Sequence, residues 1–127
     1  MSNAYVEISC SSWPYPQQFL DWMRTVFKNP QPFINQCIQQ GTSLGLTGFN
    51  IDWEPTATAT EQDALDYANF LTTLTNALQP KGLGVSVDVA TWNTIWNYTA
   101  LGQSTVDPVI TMVRKESARS IASGSTN

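Results

Sequence analysis

The chain contains no histidine, which removes the Ser-His-Asp triad and every histidine-ligated zinc site from consideration. It has two cysteines, too few for a disulfide framework and at a spacing that matches no metal motif. Cys10 lies in a strand-like stretch and Cys37 in a helix-like one; two buried free thiols are favoured over a bridge, whose geometry is restrictive. No apolar run is long enough to span a bilayer, and no basic-then-apolar leader pattern opens the chain, so no membrane partner is expected and localisation stays open. The net charge of −4 argues against nucleic acid. Charged residues are scarce at 13%, against 42% hydrophobic, which is a globular and not a disordered composition. At 127 residues the chain is at most one domain. Acid–base chemistry must therefore come from carboxylates, tyrosine, lysine or the substrate itself, and no metal or cofactor is implied.

What is present concentrates in Thr47-Gly48-Phe49-Asn50-Ile51-Asp52-Trp53-Glu54. Side chains alternate between the two faces of a strand. Asn50, Asp52 and Glu54 therefore share one face, and Phe49, Ile51 and Trp53 share the other. The apolar face suits packing under helices. Neighbouring carboxylates on the polar face raise one another's pKa, and burial raises it further. That is how a carboxylic acid keeps its proton near neutral pH and donates it to a leaving oxygen. The plainer reading is an edge strand with a solvated acidic face.

Around this stretch the pattern is that of an α/β chain, with strands alternating with helices and hence a parallel sheet. Tyr5 to Ser9 reads as a strand. Residues 17–28 carry an apolar stripe at helical spacing, and Pro30 ends that helix. Pro32 opens a second helix with Phe33, Ile34, Cys37 and Ile38 on one face and Gly41 as its C-cap. Leu46 to Trp53 is the second strand. Thr60 and Asp63 form a capping box for a helix that Pro80 and Gly82 end. Leu83 to Val89 alternates as the third strand, Trp92 to Leu101 is aromatic-rich loop or short helix, and Val109 to Met112 begins a fourth strand. Chemistry in parallel folds gathers at the carboxyl ends of strands. Glu54, Trp13 and Trp92 all fall there, and aromatic faces stack on pyranose rings; Trp13 and Trp92 serve core packing equally well, whereas Trp53 belongs to the core.

This order of elements resembles glycoside hydrolase family 18, the chitinase family, whose signature D-x-x-D-x-D-x-E lies on the fourth strand of a (βα)8 barrel. Its four positions fall here on Thr47, Asn50, Asp52 and Glu54, of which the last two match. Ser9-Cys10-Ser11-Ser12-Trp13 resembles the family's S-x-G-G-W turn, and Val109-Ile110-Thr111-Met112 resembles its sixth strand. The resemblance spans residues 5–112 and implies a partial TIM barrel of about four parallel strands with intervening helices. It also implies a chitinase-like glycosidase acting on β-linked N-acetylglucosamine glycans by substrate-assisted, retaining hydrolysis, a recognised exception to the two-carboxylate rule. Glu54 would be the general acid, Asp52 would hold the acetamido group, Asn50 would support Asp52, and Trp13, Trp92 and Met112 would contact the sugar.

Thr47 and Asn50 stand where the family has aspartates, and Val113-Arg114-Lys115-Glu116 follows Met112 where the family has residues that contact the reacting sugar. Residues 113–127 carry three of the six basic residues, Arg114, Lys115 and Arg119, and end in Ser-Gly-Ser-Thr-Asn with no apolar period. They read as a divergent, disordered tail. A whole barrel needs about 250 residues. The expectation is thus a fragment of the barrel, with open sheet edges through which copies self-associate. The alternatives are a carbohydrate-binding relative without catalysis, and a truncated product without independent activity.

Overall fold

The structure, a computed structural model, describes residues 5–11, 14–103 and 107–110, with backbone alone for residues 10, 11 and 107–110. It is an α/β fold. Strand β1 (Tyr5–Ser11) leads through helices α1 (Pro16–Lys28) and α2 (Gln31–Leu44) to β2 (Gly48–Glu54). Helix α3 (Glu61–Leu78) and a short 3-10 turn lead to β3 (Gly84–Val89), and α4 (Tyr98–Gly102) precedes β4 (Asp107–Ile110). All strand pairs are parallel, in the order β1-β2-β3-β4. No helix among the described residues is long and apolar enough to cross a membrane.

The alternation expected from the sequence sets the layers. Phe49, Ile51 and Trp53 of β2, with Val85, Val87 and Val89 of β3, are buried under the helices. Trp53 is wholly buried, with ring centroids 5.1 Å from Trp22, 5.5 Å from Phe33 and 5.4 Å from Phe70, so one side chain ties α1, α2 and α3 to the sheet. The stripe of α1 buries Phe19, Leu20, Met23 and Val26. The cap of α3 forms as expected: Thr60 accepts from the Asp63 backbone N–H at 3.0 Å, and Asp63 accepts from the Thr60 N–H at 2.8 Å. Asp63 also takes both prongs of Arg24, at 2.9 and 2.7 Å, which pins α1 to the start of α3. That fork, reinforced by the cap, holds the Asp63 carboxyl down at about 2.

Element ends differ from the expectation. Helix α2 does not stop at Gly41 but runs to Leu44, and Gly45 is the C-cap, with φ 64. Gly41 lies inside the helix because its face presses on Leu83: a Cβ there would come 2.7 Å from a Leu83 methyl. Strand β1 continues through Ser11, where the sequence suggested Ser9, and β2 begins at Gly48, not Leu46. β4 (Asp107–Ile110) begins two residues ahead of the expected Val109, and the expected end at Met112 lies outside the described residues. Of the two cysteines, Cys37 is a buried free thiol whose pKa burial pushes up to about 12.

Candidate active site

The face of the sheet opposite the helices is built from the other parity of each strand. Parallel register places Glu7 beside Asn50, Ser9 beside Asp52, and Ser11 beside Glu54, while Asn50 pairs with Ser86. Asp88 follows Ser86 at the same parity on β3, so four acids and their hydroxyl and amide neighbours occupy one polar surface. At its amino-terminal end the ring of Tyr5 lies across Gly48, its partner in the register, and Gly84, the partner of Gly48 on β3, neither of which has a side chain to obstruct it.

Asp52 is the centre of this surface. It is 9% exposed, and its Oδ1 has no hydrogen-bond partner among the described residues. Its Oδ2 accepts a long 3.5 Å bond from the Ser9 hydroxyl. Burial, then a hydrogen bond to Glu54 and the charges of Glu54, Asp88 and Glu7, push its pKa up from 3.8 to about 8. Asp52 thus holds a proton at neutral pH. Asn50 does not support it as expected: its amide donates to the Ser86 hydroxyl at 2.8 Å and to the Asp88 carboxylate at 3.2 Å. Glu54 is half-buried at the carboxyl end of β2. Glu7, Asp52 and Asp88 each bring a carboxylate oxygen within 4.8 Å of the other two, a grouping with the composition of a divalent-metal site. A proton on Asp52 already removes one of these charges, and the Asn50 amide occupies one Asp88 oxygen.

Beyond Glu54 the chain enters a loop fixed by Asn93. The Asn93 amide donates to the carbonyls of Pro55 at 2.9 Å and Ala57 at 3.0 Å, and its oxygen accepts from the Ile95 N–H at 2.9 Å. The loops after β2 and β3 are thereby stapled together. Between them lies a cavity of about 630 Å³, lined by Thr56, Thr58, Glu61, Trp92, Thr94 and Asn97 among others. Trp92 is half-buried and meets Trp96 edge-on at 4.9 Å.

Four of the six residues singled out from the sequence, Asn50, Asp52, Glu54 and Trp92, thus lie on one face of the sheet or at its carboxyl rim. Trp13 and Met112, like the tail at 113–127, lie outside the described residues. Sequence reasoning missed Glu7, Ser86, Asp88 and the Asn93 staple. The alternation Tyr5-x-Glu7-x-Ser9 and Gly84-x-Ser86-x-Asp88 carried the signal for the first three, but only strand register tells that these parities meet. No protein-family model, curated protein or solved structure matches the chain.

Proposed function

We propose that residues 5–112 form part of a (βα)8 barrel of the chitinase-like glycoside hydrolase type, in which β1 to β4 correspond to the barrel's third to sixth strands. The reading rests chiefly on Asp52, a buried carboxyl that keeps its proton up to about pH 8 and is hydrogen-bonded to Glu54 at the carboxyl end of a parallel strand. Parallel order and helices on one face of the sheet are what such a barrel requires, its polar face then turning to the lumen.

The chemistry assigned to the site uses the substrate as nucleophile. The carbonyl oxygen of the sugar's 2-acetamido group attacks the anomeric carbon as the glycosidic C–O bond breaks, and Glu54 delivers a proton to the departing oxygen. Asp52 accepts the acetamido N–H, which raises the electron density on the attacking carbonyl; the proton it held passes to Glu54 and is the one delivered to the departing oxygen. Water then opens the cyclic intermediate and loses a proton to the Glu54 carboxylate, from which it passes back to Asp52 as the product leaves, and the configuration is retained. Family 18 is an exception to the rule that two carboxylates act as acid and nucleophile.

The test is hydrolysis of a chitooligosaccharide reporter by a form shown to be active, compared with its Glu54→Gln variant. Loss of the acid should lower turnover by about 10²- to 10⁴-fold; full turnover in the variant would overturn the assignment. A second reading, a glycan-binding relative without turnover, is favoured by Asn50, whose amide is spent on Ser86 and Asp88 and leaves Asp52 without the neighbour the catalytic arrangement uses. Saturable binding with no hydrolysis in either form would select it.

A further inference from the structure

The cavity beyond Glu54 is unlike an ordinary small-molecule pocket. At about 630 Å³ it has the size of a ligand site, roughly 300–1,000 Å³, yet such sites are mostly apolar and this one is lined chiefly by threonines and asparagines beside the indoles of Trp92 and Trp96. No lysine or arginine is among its lining residues, and Glu61 is its one charged group. Glu61 is exposed in the first turn of α3. The polar surface that adjoins the cavity through Glu54 is itself acidic.

These features select by charge. A phosphate, sulfate or uronate would find no lysine or arginine and would face the Glu61 carboxylate, so anionic ligands are disfavoured. A polyhydroxylated ring fits hydroxyl and amide walls and can rest on the Trp92 face. A ring that also carries an ammonium gains the attraction of Glu61. We infer that the cavity between the loops after β2 and β3 is a subsite for a sugar unit next to the reacting one, and that Glu61 makes it prefer a unit with a free amine over its N-acetylated form. This rests on the glycosidase reading for the adjacent sugar, but the cavity's chemistry stands on its own lining. Asn93 is the positioning residue, since its staple holds the two walls apart at a fixed width.

Equilibrium titration followed by tryptophan fluorescence tests this on the full chain carrying Glu54→Gln, which cannot turn the ligand over by the proposed route and so separates binding from catalysis. Glucosamine and N-acetylglucosamine oligomers of equal length are compared where the sugar amine is protonated. The amine form should bind about two- to fivefold more tightly, the yield of one exposed ion pair. The preference should vanish in Glu61→Gln and shrink at high salt, and Thr94→Trp, which fills the cavity, should weaken both ligands. Equal affinities, a preference that survives Glu61→Gln, or no saturable binding of either oligomer would overturn the inference. Failure of the glycosidase reading would instead appear as unchanged hydrolysis in Glu54→Gln.

Discussion

Replacing Asp52 by asparagine should stabilise the protein at alkaline pH and leave it unchanged in acid. The folded state keeps the Asp52 proton up to about pH 8, whereas the unfolded chain releases it near 3.8. Between these values the native state binds more protons than the unfolded one, so the free energy of unfolding falls as pH rises, by at most about 1.4 kcal/mol per pH unit. Taken over the whole interval from 3.8 to about 8, this amounts to a ceiling of about 5–6 kcal/mol at ~1.36 kcal/mol per pKa unit. The polar face is open to water, and relaxation there should reduce the effect to about 2–3 kcal/mol. Asparagine has the same shape, carries no charge at any pH, and offers Glu54 an N–H where the protonated Asp52 offers an O–H. Urea denaturation in steps from about pH 4 to 9, followed by tryptophan fluorescence with unchanged m-values, should show the two proteins converging in acid and the variant pulling ahead as pH rises. A difference that does not change with pH would refute the buried, protonated Asp52 and weaken the case for an acid pair with Glu54.

Asp63 should behave in the opposite sense: its pKa is held at about 2 by the Arg24 fork, so its contribution is complete above 3.8 and is lost as pH falls towards 2. Asp63→Ala should cost about 2–3 kcal/mol near neutral pH through the lost cap and fork, and Asp63→Asn should flatten the acid limb of a thermal-melt series. The two glycines under Tyr5 should differ. A Cβ on Gly48 meets the backbone of Gly84, with the carbonyl carbon 2.8 Å away, while a Cβ on Gly84 meets only the hydroxyl end of the half-exposed Tyr5 ring. Gly48→Ala should therefore cost about 1–3 kcal/mol as an overpacked strand pair, and Gly84→Ala little, as the ring swings clear; equal melting temperatures would contradict the close approach.

The alternation in Gly48–Glu54 was enough, from sequence alone, to assign Phe49, Ile51 and Trp53 to the core and Asn50, Asp52 and Glu54 to a polar face, because side-chain parity is a local property of any extended strand. The Thr60–Asp63 cap was equally legible, since its hydrogen bonds close within one turn. Gly41 was misread as a helix end because a glycine needed for close approach to Leu83 looks the same in sequence as one needed for a positive φ; only the packing of α2 on the start of β3 separates the two. The site shows the same division. Residues 50, 52 and 54 were visible together because they sit on one strand. Glu7 and Asp88 join them only through the register of β1 and β3, and Asn93 reaches the loop after Glu54 from 36 to 38 residues away. The amide of Asn50 turned to Ser86 and Asp88, not Asp52, for the same reason: which acceptor lies within 3.2 Å depends on strand pairing, and strand pairing joins residues far apart in the chain. Composition and local period thus determined which residues were buried and which were chemically capable, and placed Glu54 beside Asp52, while the largest cause of the raised Asp52 pKa, burial, and the charges of Glu7 and Asp88 on the two neighbouring strands exist only once the sheet has formed.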